Sequence, residues 1–205
     1  MKAVAYRSCL PSDDPQCLVD LDLPQPQASG RDLLVRVQAV SVNPVDTKLR
    51  RHVAPPAGEA RVLGFDVAGV VEAVGSDVTL FKPGQEVWYA GSRTRQGGNA
   101  EWHLVDERLV GHKPSSLSFA QAAALPLTTI TAWEALFDRL QLPLGRAVEP
   151  LTVLITAGAG GVGSIAIQLA KRLADARVIA TASRPESRAQ AAALGDDLHA
   201  PAFQP

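Results

Sequence analysis

Cysteine is scarce in this 205-residue sequence: Cys9 and Cys17 are the only two. Two thiols are too few for a disulfide framework or a four-thiolate metal site, so both are read as free. An excess of charge of one sign is also lacking. The 20 Lys and Arg nearly cancel the 21 Asp and Glu, which excludes a strong field drawing the chain to nucleic acid or anionic lipid. A small, roughly neutral partner is expected instead. No apolar run approaches the ~20 residues of a membrane span, and "MKAVAYRSCLPSDDPQ" has no secretory apolar core, so a cytoplasmic location is expected. Internal repeats and low-complexity tracts are absent too. The length suffices to bury ~70% of the unfolded surface, as one large domain or two small ones.

What is present changes character along the chain. "DLLVRVQAVSV" alternates, with Leu33, Val35, Val37 and Ala39 on one side and Arg36 and Gln38 on the other, which predicts a strand. "GVVEAVG" and "EVWYAG" are further strands, set off by turns at Gly75-Ser76-Asp77 and Lys82-Pro83-Gly84, as in a small barrel or sandwich. From Ser118 the signal is helical. Ser118 with Gln121 makes a capping box for "SFAQAAAL", and "TAWEALFDRL" puts Trp133, Leu136, Phe137 and Leu140 on one face. Pro143, Gly145 and Pro150 mark a loop.

From residue 151 the pattern is strand, helix, strand, helix. "LTVLITA" is a continuous apolar run, as expected of a parallel strand covered on both faces. The following helix places Val162, Ile165, Ala166, Leu169 and Leu173 on one stripe, and "RVIATA" is the second strand. Between strand and helix, Gly158, Gly160 and Gly163 match G-x-G-x-x-G. Such a turn lets a pyrophosphate approach the backbone at the positive end of a helix dipole, with Gly161 and Val162 in the same first turn. No Gly-Lys-Ser/Thr follows, which argues against a nucleoside triphosphate. Packing of helix on strand is the alternative reason for the glycines.

The end of the second strand bears on the coenzyme. About 20 residues past the last glycine, an unphosphorylated dinucleotide calls for Asp or Glu. Here stand Ser183 and Arg184. A hydroxyl and a guanidinium suit a 2′-phosphate, so NADPH is favoured over NADH. Ser183 also reads as a helix N-cap, with Pro185 and Glu186 after it and Gly195 at the far end.

Taken in order, "NPVDTKLR", "GFDVAGVVEAVG", "FKPGQEVWY", "LPLTTITAWEAL" and "AGAGGVG" resemble the medium-chain dehydrogenase/reductase superfamily, in its zinc-less quinone oxidoreductase branch, whose relatives are often labelled zinc-type alcohol dehydrogenase-like. The resemblance implies an α/β plus β fold: a GroES-like β-rich catalytic domain over 1–125, incomplete, then over 126–205 the first part of a Rossmann domain. It implies that Asn43 lies near the nicotinamide and the substrate carbonyl, where its amide could donate to a developing oxyanion, and that Thr131 lies beside the nicotinamide; a turn residue before Pro44 is the alternative reading of Asn43. Where relatives often carry a tyrosine, this sequence has Lys48, to which no proton-transfer role is assigned. Trp88, Tyr89 and Trp133 read as barrel or helix residues rather than pocket lining.

Zinc is not expected. The zinc alcohol dehydrogenases have cysteine where this sequence has Asn43, and Gly-His-Glu where it has Gly64-Phe65-Asp66. A catalytic Zn²⁺ needs about three Cys, His, Asp or Glu ligands. The cysteine-rich lobe is replaced by "GSRTRQGGN", and His52, His103, His112 and His199 are spaced as surface or barrel residues. The chemistry then expected is hydride transfer from NADPH to a quinone or α,β-unsaturated carbonyl, a small molecule, with no nucleic acid or membrane involved. Alternatives are a non-catalytic nucleotide-binding or interaction module, and a zinc alcohol dehydrogenase with atypical ligands.

The sequence resembles about the first three-fifths of such an enzyme. It supplies strands 1 and 2 and, at "DDLHAPA", a weak strand 3, whereas a full dinucleotide domain has six. "LTVLITA" is therefore expected to form an apolar edge, with weak dinucleotide binding and little turnover. Full-length relatives are expected to be homodimers.

Overall fold

Side-chain alternation decides the longest strand, the 10 residues Asp32–Ser41. Leu33 and Val35 are buried while Arg36 and Gln38 are exposed. The computed structural model describes residues 1–146, 149 and 151–200, with backbone alone for 198–200. It divides into two compact units, Met1–Leu127 and Thr128–Pro205.

The first unit contains β1 (Lys2–Tyr6), β2 (Val19–Asp22), β3 (Asp32–Ser41), α1 (Pro44–His52), β4 (Arg61–Val62), β5 (Asp66–Val74), β6 (Glu86–Ala90), β7 (Trp102–Asp106), β8 (Val110–His112) and α2 (Phe119–Ala123). Two sheets result, ordered β7-β3-β5-β6-β8 and β2-β1-β4, with every pair antiparallel. Leu33, Val35, Val67, Val71, Val87, Tyr89 and Val105 fill the core of the larger sheet. Beneath one end, the fully buried Glu107 accepts from the Thr79 and Leu80 amides at 2.9 and 2.7 Å and pairs with Arg31 at 2.7 Å. A buried carboxylate persists there because donors occupy its oxygens. The capping box foreseen at α2 is formed by Ser118 and Gln121.

His103 is the buried histidine of β7, while His52 and His112 are exposed. The side chain of His199 lies outside the described residues. His103 Nε2 lies 2.9 Å from the Gln96 carbonyl, which can only accept, so Nε2 carries the hydrogen. Nδ1 then accepts from the Tyr89 hydroxyl at 2.9 Å. Tyr89 belongs to the barrel core, as expected, and Trp88 packs against the small cluster around α2.

In the second unit, α3 (Pro126–Trp133) enters at Thr128 and continues as a π-helical stretch, Glu134–Arg139. There follow β9 (Thr152–Ile155), α4 (Gly161–Ala174), β10 (Arg177–Thr181), α5 (Pro185–Leu194) and β11 (Leu198–Ala200). The sheet is parallel, in the order β11-β10-β9. This is the arrangement of the first half of a Rossmann domain. No described helix is long and apolar enough to cross a membrane.

Several expectations need correction in this unit. The helical face drawn over "TAWEALFDRL" does not form: Leu136 is buried and Phe137 partly so, but Trp133 is exposed and Leu140 is 63% exposed. The cause is the winding, in which the Leu140 amide donates to Ala135, five residues back, so the 3.6-residue stripe drifts off the core. On α4 the buried stripe is Gly163, Ala166, Ile167, Ala170 and Ala174, with Ile165 and Leu169 at its border. Small residues win because the helix lies close to the sheet. β9 is not covered on both faces: Val153 and Ile155 are buried, whereas Leu154 is 62% exposed, and among the described residues β9 has one strand neighbour. The weak third strand does form as β11, although Pro201 and Ala202 of "DDLHAPA" lie outside the described residues, as does Pro150 of the expected loop.

Burial lowers the His103 pKa from about 6.5 to about 4. The native state therefore binds fewer protons than the unfolded chain between these values, so stability is complete above pH ~6.5 and declines as pH falls toward 4, by about 3 kcal/mol. NMR titration should find the His103 ring neutral down to about pH 4. Urea unfolding of His103→Gln should show a flatter pH slope across this window; an unchanged slope would refute the assignment.

Candidate functional site

The first cluster of candidate residues forms where β3 ends and α1 begins. Asn43 occupies the N-cap position, Pro44 supplies the fixed φ of the first helical turn, and Asp46 accepts the Asn43 amide hydrogen at 2.8 Å. The second oxygen of Asp46 accepts from the Gly64 amide at 2.9 Å. Asn43 is buried, and its Nδ2 donates to Asp66 at 2.8 Å. Ser41 donates to the same Asp66 oxygen at 3.1 Å, and the Leu127 amide donates to the other at 2.7 Å. Burial lifts the Asp66 pKa above the usual carboxylate value, and the bonds from Asn43, Leu127 and Ser41 pull it back down. One Asn43 amide hydrogen is thus committed to Asp66, which fixes the plane in which the second can donate. Lys48 is exposed on α1.

The glycine turn sorts its residues by burial. Gly158 and Gly163 are buried, whereas Gly160, Gly161 and Val162 are exposed. A Cβ on Gly163 would lie 2.4 Å from the Ala157 carbonyl oxygen, and one on Gly158 would lie 2.6 Å from the Ala180 Cβ. These two glycines therefore let α4 and β10 close on the turn. The left-handed residue of the turn is not a glycine: Ala157 has φ 54°. Gly160 is the N-cap of α4, so the amides of Gly161 and Val162 lack intrahelical acceptors at the positive end of the helix dipole.

The same unit brings Ser183 and Arg184 to this turn. The Gly158 amide donates to the Thr181 carbonyl at 2.9 Å, and the Ala157 amide donates to the Thr181 hydroxyl at 3.0 Å. A cleft of about 430 Å³ is lined by Ala157, Gly160, Thr181, Ser183, Arg184 and Ser187. Ser183 is not the helix cap expected from the sequence. The cap position is Arg184, and the Ser187 hydroxyl accepts its amide at 3.1 Å and donates to its carbonyl at 2.9 Å. The Pro185 ring sets the first turn one residue later than Ser183, which leaves that side chain exposed. Thr131 lies on α3 three residues beyond Thr128, whose methyl would be 3.1 Å from a Cβ on Gly161; the two threonines share a helix face.

Reading the sequence missed Asp66, Asp46, Ser41, Thr181 and Ala157 as supports of these residues. An Asp inside a run of buried strand residues, "GFDVAG", was the available signal, because a buried carboxylate demands donors. Among the described residues, no group of three or more His, Cys, Asp or Glu side chains is placed to hold a metal ion.

Comparison with known proteins agrees with this architecture. The alcohol dehydrogenase GroES-like domain model matches residues 29–133. A zinc-type alcohol dehydrogenase-like protein of Staphylococcus epidermidis is 43% identical over 203 residues, covering 97% of this chain and 58% of that protein. A crystal structure from Rhizobium etli, described as a zinc-dependent alcohol dehydrogenase, superimposes with TM-score 0.91 at 55% identity over 97% of this chain and 58% of its own. The Escherichia coli quinone oxidoreductase complexed with NADPH gives TM-score 0.79 at 28% identity, over 97% of this chain and 58% of its own. Through its GroES-like domain the chain belongs to the medium-chain dehydrogenase/reductase superfamily. It spans little more than half the length of the curated relatives it matches.

Asp66→Ala should destabilise the first unit by about 3 kcal/mol or more in urea unfolding, because it strands three donors at a buried site, and Asp66→Asn should lose less. Ala157→Gly should raise stability by ~0.5–1 kcal/mol, since relief of left-handed strain exceeds the added entropy of the unfolded chain. An Asp66→Ala chain as stable as the parent, or a lower thermal midpoint for Ala157→Gly, would contradict these accounts.

Proposed function

We infer that this chain carries the coenzyme-binding turn and the carbonyl-facing asparagine of an NADPH-dependent oxidoreductase that reduces quinones or α,β-unsaturated carbonyls without zinc. The observation that carries this reading is one cleft in which Gly160 of the glycine turn meets Ser183 and Arg184. The exposed amides at Gly161 and Val162 suit the diphosphate. Ser183 and Arg184 suit the 2′-phosphate, as donors where a carboxylate would repel it. NADPH, when bound, supplies the hydride. The E. coli relative solved with NADPH supports the coenzyme, and the quinone oxidoreductase name of that relative supports the acceptor class.

On the acceptor side, the free hydrogen of the Asn43 amide donates to a carbonyl oxygen as charge develops there, and Asp66 holds that amide in plane. Thr131 on α3 flanks the nicotinamide in this reading. Zinc does not fit the donor set: Asn43 and Phe65 offer neither thiolate nor imidazole, and both Asp66 oxygens already accept hydrogen bonds.

Titration of the purified chain with both coenzymes, followed by fluorescence, should give tighter binding of NADPH than of NADH. Arg184→Ala should weaken NADPH by roughly tenfold while changing NADH less than about twofold. Equal affinities in the unaltered chain, or stoichiometric zinc in the purified protein, would overturn the respective part of the reading.

A further inference from the structure

A second cleft in the first unit, of about 320 Å³, is distinguished by its charge: Arg61, Arg93 and Arg95 line it together with Glu59. Its volume is within the ~300–1,000 Å³ typical of small-molecule sites. The three guanidinium groups are in different situations. Arg95 donates to both oxygens of Asp32 at 2.8 Å, so its charge is already offset. Arg61 is a brace that donates to the Arg93 carbonyl, and beside it the Tyr6 hydroxyl donates to the Val53 carbonyl at 2.7 Å. Both walls of the cleft are fastened in this way. The Arg93 guanidinium is exposed and forms no hydrogen bond or ion pair among the described residues. With Arg95 offset, Arg61 and Arg93 outweigh the single carboxylate of Glu59, which is in no ion pair among the described residues. The balanced charge of the whole sequence conceals this site because residues some 30 positions apart assemble it.

The chain links the cleft to the Asn43 cluster through β4. Arg61 opens that strand, and three residues later the Gly64 amide donates to Asp46, which also holds the Asn43 amide. Three residues of extended chain span at most ~10 Å. The backbone at the edge of the cleft therefore lies within that distance of the Gly64 amide.

We propose that this cleft takes the acidic group of the acceptor: a quinone or enone bearing a carboxylate or sulfonate, with the anion on Arg93 and Arg61 and the carbonyl toward Asn43. The carbonyl end rests on the oxidoreductase reading above; the anion end rests on the arginines alone. A guanidinium can meet a carboxylate or sulfonate with two parallel N–H bonds, which makes the preference one of geometry as well as charge.

The test is calorimetric titration of the purified 205-residue chain with anthraquinone sulfonate and with its neutral hydroxymethyl analogue. The sulfonate should bind about tenfold more tightly, and the advantage should shrink as salt is raised. Arg93→Gln, a change at an exposed loop position, should abolish the advantage while leaving the circular dichroism spectrum unaltered. Equal affinity of the two compounds for the unaltered chain, or an undiminished sulfonate advantage in Arg93→Gln, would overturn the proposal. NADPH titrated into the same preparations reads the coenzyme assignment separately. Sulfonate preference without NADPH binding would remove the oxidoreductase reading and leave the anion cleft standing; NADPH binding without sulfonate preference would do the reverse.

Discussion

A carboxylate with no exposed surface, Asp66, is the constraint on which the first unit's candidate site depends. Its two oxygens gather Ser41, its own pairing partner at the end of β3, the cap of α1 and the amide that opens α3. Burying such a group is unfavourable unless donors replace water, and here each oxygen has one or two. The geometry of Asn43 follows from that demand: an asparagine preceding a proline could serve any turn, but one whose amide is tied to a buried acid presents its other hydrogen in a fixed direction. Asp46 repeats the device one step outward, linking the Asn43 amide to Gly64 and so to the strand that leads into the arginine-lined cleft.

The second unit depends on contact between backbones. Gly163 sits against the Ala157 carbonyl and Gly158 against Ala180, at separations that admit no side chain. Close approach of α4 then selects alanines for its buried stripe and turns the exposed amides of Gly161 and Val162 toward solvent. Two units thus use opposite means: a buried charge satisfied by donors in one, the absence of side chains in the other.

Part of the element succession was readable from the sequence, while β1, β2, β4, β7, β8 and α1 were not read from it. Alternation gave β3, runs set off by turns gave β5 and β6, the Ser118–Gln121 pair gave the start of α2, and the strand-glycine-helix succession gave β9, α4 and β10. Residue-level expectations failed where tertiary distance entered. The stripe on α4 was drawn through Val162, Ile165 and Leu169, yet the residues nearest the sheet are Gly163, Ala166, Ile167, Ala170 and Ala174, with Ile165 and Leu169 at the border. A helical face was drawn through Leu140, yet a five-residue hydrogen bond rotates it outward. Ser183 was given the cap, yet the proline after Arg184 moves the helix start by one residue.

By itself, the sequence determined the succession of a β-rich segment and a βαβ segment, the glycines of the turn and the residue types at the end of the second strand, because periodicity and backbone freedom are local properties. Tertiary structure alone decided that Asp66 holds Asn43, that Ala157 takes the left-handed position, and that Arg61 and Arg93 meet across a cleft. Each of these joins groups distant in the chain or balances burial against hydrogen bonding, and neither quantity exists until the chain has closed on itself.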